Sequence, residues 1–189
     1  SRSGELRQAT LREAARANGH APGEALNPPF DPAKATAGEA LFRSTELSLN
    51  GDTSCHTCHL EEFGSADGLS IAVGVGGKGR GPERLDTGGQ LVPRNTLPLW
   101  GRGAVGFSTL FWDGKVAVDN GAVVSQFGSE APSDDPLIVA VHLPILEPRE
   151  LMDDGDVVTN EYRLEAVAGA VDVSTRLAKR LLADPDIGP

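Results

Sequence analysis

Three stretches of the chain place apolar residues at helical spacing, and a long glycine-rich stretch separates the first two from the third. Glu5 to Asn18 (ELRQATLREAARAN) combines good helix formers with apolar positions at Leu6, Ala9 and Ala14, and Gly19 follows as a C-terminal stop. Those apolar positions are few and small, so the helix expected there is peripheral and packs weakly. Asp31-Pro32 pairs an N-cap residue with a first-turn proline and opens a second helix to about Phe42. Far downstream, Leu164, Val167, Val171, Leu177 and Leu181 return to helical spacing within Glu161 to Leu182, ahead of Pro185.

The chain between these stretches follows neither period. Asn50-Gly51-Asp52 is a turn, and Glu61 to Arg102 is dominated by Gly, Pro and polar residues, as in GVGGKGRGPER and DTGGQLVPRN. Irregular chain of that length wraps something or carries function. Strand-type alternation is not sustained. Its best stretch, KVAV at Lys115 to Val118, is short and lies between Gly114 and Gly121. In the apolar run VAVHLPIL, His142 reads as a buried, hydrogen-bonded core histidine. The pattern predicts an all-α fold with long irregular loops. Residues 1–30 form an N-terminal helix and a Pro-rich connector, and one domain covers 31–189.

Composition changes this picture in two ways. Aromatic residues are only 5% of the chain, which leaves a core short of bulk that a bound planar group would supply. The formal net charge of −10 argues against a nucleic-acid partner, because phosphate binding needs a basic face, and suits a basic protein partner or no specific partner at all. No apolar run approaches the length of a membrane span. Ser1 to Thr10 is polar and charged, with no visible signal peptide, so an exported protein would be represented here by its mature form.

The two cysteines of the chain lie three residues apart, in Cys55-His56-Thr57-Cys58-His59. That count excludes a disulfide scaffold. Two cysteines at this spacing reach the two vinyl groups of a haem and form thioethers. The histidine directly after the second cysteine then lies beneath the ring with its imidazole on the iron. His56 reads as a solvent-facing spacer. A zinc site would want a second ligand pair, which His20 and His142 do not provide near by. A redox C-x-x-C would follow a strand in a βαβ setting, which is missing. The sixth iron position decides what the haem does: methionine or histidine makes an electron carrier, whereas an open site activates peroxide. Met152, the one methionine, and His142 are the candidates to fill it.

Phe42, LSLNGDTSCHTCH, Phe63, Ala66-Asp67-Gly68, VGVGGKG, Arg94-Asn95-Thr96, Phe111-Trp112-Asp113-Gly114 and Glu147-Pro148-Arg149-Glu150 occur in that order. Together they resemble the N-terminal haem domain of bacterial dihaem cytochrome c peroxidases, which also occurs in the related dihaem enzyme that matures tryptophan tryptophylquinone. The resemblance covers about Pro29 to Pro185 and implies a cytochrome c-like haem domain. It makes His59 the proximal ligand of the peroxide-reacting haem and Glu150 the distal acid–base. Pro144 would line the distal pocket, Trp112 would lie between two haems on the electron route, and Asn95 would stand near an interdomain calcium ion.

Three departures qualify the resemblance. Many of these peroxidases carry an iron-blocking histidine in the loop occupied here by Val73 to Gly77, and no histidine occurs between His59 and His142. The distal site is therefore expected to be open. The glutamine expected ahead of Pro144 corresponds to Ala140, with His142 taking over some of its polar role. A single C-x-x-C-H is present, so the second haem is expected on a further domain or another chain. The resemblance implies a periplasmic oxidoreductase that reacts with hydrogen peroxide through one covalent haem c and takes electrons from a protein or small-molecule donor. The alternative is a monohaem electron-transfer subunit with His142 or Met152 as sixth ligand. A sensor or structural haem module is a third reading.

Overall fold

Capping chemistry sets the first two helices of the structure, a computed structural model that describes residues 2–48, 51–145, 147, 149–151, 179 and 183. Helix α1 (Arg2–Ala17) ends where Gly19 turns into the left-handed region at φ 78°, with the Gly19 and His20 amides bonded back to the Arg16 and Ala15 carbonyls. Helix α2 (Pro32–Arg43) starts at Asp31, whose Oδ1 accepts from the Ala33 amide at 2.8 Å and the Lys34 amide at 3.3 Å. No residue of α2 is fully buried, but Phe42 near its end turns inward. The helix expected over Glu161–Leu182 lies outside the described residues except at Lys179, which is helical, and Met152 lies outside them altogether.

The third helix, α3, is a single turn over Cys55–Cys58. Beyond it, Ala72–Val73 (β1) and Leu91–Val92 (β2) pair antiparallel, Ala72 opposite Val92. A second sheet follows, in the order β3 (Thr109–Leu110), β4 (Val116–Asp119) and β5 (Ala122–Ser125), antiparallel throughout. Asn120 and Gly121, at φ 49° and 81°, close the β4–β5 hairpin as a two-residue turn of the kind that matches strand twist. Helix α4 (Pro136–Ile145) is capped by Asp135, whose Oδ1 accepts from the Leu137 amide at 2.8 Å, and packs on this sheet.

The expected all-α, cytochrome c-like fold is therefore corrected: the described residues combine short helices with two small antiparallel sheets. KVAV is the start of the central strand of the second sheet. Its four residues are too few to show a period, and its burial comes from packing rather than from local pattern. Leu110, Val116, Val139, Ala140 and Leu143 form one buried apolar cluster, flanked by Phe111, Val123, Phe127 and Ala131. Each buried leucine or valine there contributes roughly 1.5–3 kcal/mol over leaving it exposed. His142 is corrected too: it is exposed on α4 and donates from Nδ1 to the Ile138 carbonyl at 2.7 Å.

Candidate active site

Local hydrogen bonds dictate the shape of the cysteine turn. Thr57 Oγ1 accepts from the Ser54 amide at 3.0 Å, the Thr57 amide bonds the Ser54 carbonyl at 3.0 Å, and the His59 amide closes back on the Cys55 carbonyl at 3.0 Å. Both sulfurs thus leave one helical turn. The Phe42 ring lies tilted against His56 and His59, with centroids 5.9 and 6.3 Å away. His56 is only 13% exposed: its Nε2 donates to Glu61 at 3.1 Å, its Nδ1 accepts from Arg43 at 3.1 Å, and the Arg80 guanidinium lies 2.9 Å from the ring. It is a clamp between α2 and the cysteine turn, which corrects its reading as a solvent-facing spacer. Its hydrogen bond to Glu61 is the main cause that pulls that carboxyl down to about 2.

His59 donates from Nδ1 to the Ser65 carbonyl at 2.9 Å, which leaves Nε2 with its lone pair free. Burial lowers its pKa and keeps the ring neutral, against the opposing pull of that same carbonyl. Ser65 sits at φ 63°, and its Oγ accepts from the Leu99 and Trp100 amides at 2.7 and 2.9 Å. One residue therefore fixes the tautomer of His59 and ties the 98–100 segment beneath it.

Cys58 Sγ lies 3.8 Å from the Val73 carbonyl. Burial pushes the Cys55 thiol up and the Cys58 thiol to about 12, with Arg84 only partly offsetting the second. Two neutral, buried thiols are the opposite of a redox C-x-x-C, whose attacking sulfur has a lowered pKa. They fit carbon–sulfur attachment, which needs no buried charge. With His59 Nε2 free and Phe42 alongside, these residues fit a covalent haem: Cys55 and Cys58 could hold it and His59 could ligate its iron.

Glu150 reaches this place through the backbone. The Val75 amide, just after β1, donates to the Arg149 carbonyl at 3.0 Å. Position 74 must be glycine for this contact, because any Cβ there would overlap that carbonyl. Glu150 is partly buried, and burial, reinforced by the Glu147 carboxylate, raises its carboxyl to about 7. Lys115 and Arg94 oppose the rise. The charge of Glu150 in turn raises both cysteine thiols, so the carboxyl stands within electrostatic reach of the two sulfurs.

Trp112 and Asn95 are also together, away from the buried core. The indole is 56% exposed and donates from Nε1 to the Asn95 carbonyl at 3.4 Å. Arg94 pairs with Asp113 at 3.6 Å, and the Lys115 amine lies 4.6 Å over the Phe111 ring. Asn95 is itself exposed. Among the described residues, no group of three or more His, Cys, Asp and Glu side chains is placed to hold a metal ion. Pro144 is partly buried in the last turn of α4, where the Glu147 amide bonds its carbonyl at 3.2 Å. The structure thus sets Cys55, Cys58 and His59 on and just after one turn, with the Glu150 carboxyl within electrostatic reach of the two sulfurs, while His142 stays on the exposed surface.

Sequence reasoning missed Ser65, Arg84, Arg94 and Lys115. Arg84 is the least expected of them: only 1% exposed, it belongs to a Gly- and Pro-rich segment whose pattern signals surface. Asp67 is equally buried, with Oδ1 accepting from the Leu69 amide at 3.0 Å and Oδ2 without a hydrogen-bond partner among the described residues. It stood inside the Ala66-Asp67-Gly68 element of the resemblance, but nothing local marked it as buried.

Over 142 residues, 75% of its length, the chain is 32% identical to the methylamine utilization protein MauG of Methylorubrum extorquens, and the matched part is 30% of that protein. The family model described as di-haem cytochrome c peroxidase matches residues 32–179, which take in the cysteine turn, the Trp112 segment and Glu150. A match across most of the chain shows that the chain belongs to the di-haem cytochrome c peroxidase family.

Proposed function

We propose that residues 31–189 form the peroxide-reacting haem c domain of a periplasmic dihaem peroxidase-like oxidoreductase, with 1–30 as a peripheral helix and connector. In this reading Cys55 and Cys58 carry the haem and His59 ligates its iron. The haem, when bound, supplies the iron that meets hydrogen peroxide and the redox equivalents of the reaction. The chain's own residues do the rest. Ser65 holds the His59 imidazole in the tautomer that presents Nε2. Glu150, ionised above about 7, accepts a proton at its carboxylate from the incoming peroxide oxygen and returns it to the leaving oxygen. The exposed Trp112, tied to Asn95, is the point at which electrons arrive from a second haem-bearing domain or chain, with calcium near Asn95.

The observation that carries this reading is the Glu150 carboxyl, desolvated and held near both cysteines by the Arg149–Val75 bond. A buried carboxyl with a pKa near working pH is what a proton shuttle needs. Glu150→Gln in the haem-loaded protein should slow its reaction with hydrogen peroxide, followed by stopped-flow absorption, by about 10²–10⁴-fold, with the haem retained. An unchanged rate would overturn the assignment.

A further inference from the structure

Arg84 stands out because nothing in the proposed chemistry uses it. Its guanidinium is buried, and among the described residues no carboxylate lies within ion-pair distance. It is satisfied by carbonyls instead: Nε donates to Val73 at 2.8 Å, Nη1 to Gly79 at 3.0 Å, and Nη2 to Gly74. A buried cation is tolerated only when its donors are matched, and the planar fork of arginine can serve several carbonyls at once where lysine cannot. The glycines of the loop are cut to this fit. A Cβ on Gly77 would come within 2.9–3.0 Å of the guanidinium, and one on Gly74 would meet the Arg149 carbonyl.

These contacts form a continuous chain to the carboxyl. Arg84 fixes the carbonyls of Val73 and Gly74. The Val73 carbonyl also faces Cys58 Sγ at 3.8 Å, and the next amide, that of Val75, holds the Arg149 carbonyl at 3.0 Å. Glu150 is the residue after that carbonyl. We propose that Arg84 is a positioning residue for Glu150: from its buried site it sets the 73–75 backbone, and that backbone, through Arg149, sets where the carboxyl stands relative to Cys55 and Cys58. The inference rests on the reading of Glu150 as the proton shuttle.

The test uses the haem-loaded protein. Arg84→Lys keeps the charge but cannot reach three carbonyls. It should lower the rate of reaction with peroxide about 10- to 100-fold, the loss expected when a catalytic group is misplaced by about an ångström. It should also move the acid limb of the pH–rate profile. On a Glu150→Gln background the same change should cost nothing further, because both act at one carboxyl. A native rate with an unmoved acid limb would overturn the proposal, and so would losses that multiply in the double variant. If Arg84→Lys does not retain haem, Gly77→Ala, which presses on the guanidinium from the other side, is judged by the same outcomes. Failure of the shuttle reading is seen separately, as an unchanged rate in Glu150→Gln alone. In that case hydrogen exchange at the Val75 amide and the infrared titration of the Glu150 carboxyl decide. Faster exchange with a shifted titration in Arg84→Lys supports the positioning role, and native values for both overturn it.

Discussion

The two halves of this molecule are held together by different physics. Among the described residues, the buried polar and charged side chains, Ser48, Thr53, Ser54, Thr57, Ser65, Asp67 and Arg84, all fall in the half that carries the cysteine turn. The half built from β3–β5 and α4 has a conventional core of Leu110, Val116, Val139, Ala140 and Leu143. The cysteine half also buries Leu60, Ala72, Val73 and Val75, but it arranges its chain through hydrogen bonds to serine, threonine and arginine as well. The comparison teaches that the sheet half coheres through apolar packing, whereas the cysteine half adds to its apolar contacts a buried network of polar side chains that hold its irregular backbone.

Removing the attachment should have the largest effect and should fall on one side only. Cys55→Ser with Cys58→Ser should abolish covalent haem altogether, so that acid–acetone extraction removes the colour that the native protein retains. Hydrogen exchange should then accelerate through 51–92 and leave the β4–β5 amides near their native rates. Equal loss of protection in both halves would break the comparison.

The second effect is pH dependence. The Glu150 carboxyl has its folded pKa raised from 4.5 to about 7. Between those values the folded state therefore binds more protons than the unfolded state, and stability falls as pH rises through that window. Glu150→Gln should remove this slope and be the more stable form at pH 8, by on the order of 1–3 kcal/mol. Melts at pH 5 and pH 8 check the sign. The native peroxide rate should rise with pH through about 7, and that limb should be absent from Glu150→Gln.

Two further changes sharpen the contrast. Leu143→Ala cuts the sheet half's core and should cost about 2–5 kcal/mol in denaturant unfolding while leaving haem content and peroxide rate unchanged. Glu61→Gln removes an exposed partner of the His56 clamp, and although that carboxyl is held near 2, an ion pair in water changes stability little. Its melt should be indistinguishable from the native one. A clear loss would mean that the clamp, rather than the group it flanks, holds the cysteine half together.

Local chemistry was legible where it was strong. The Asp31-Pro32 start, the Gly19 stop and the cysteine spacing each need only a few adjacent residues to declare themselves, and each stands where it was expected. The sheets were not legible by alternation, because strands of two to four residues show no period. One signal was present, however: Asn120-Gly121 between two apolar runs marks a two-residue hairpin. Helix α4 was hidden by Pro144 in an apolar run, since a proline past the first turn gives up its bond to the i−4 carbonyl, here that of Ala140, and crowds it, which argues against a helix; the helix ends one residue later.

The sequence by itself determined which reactive side chains the chain offers, because thiol, imidazole and carboxyl are side-chain properties, and it determined the family. Only the tertiary structure decided which of the remaining polar groups are buried. Arg84 and Asp67 lie in segments that look solvated, and His142 lies in one that looks like core, yet the first two are enclosed and the third is exposed. Burial depends on what packs from elsewhere in the chain, and here the Val75–Arg149 contact between distant segments carries Glu150 to the cysteine turn.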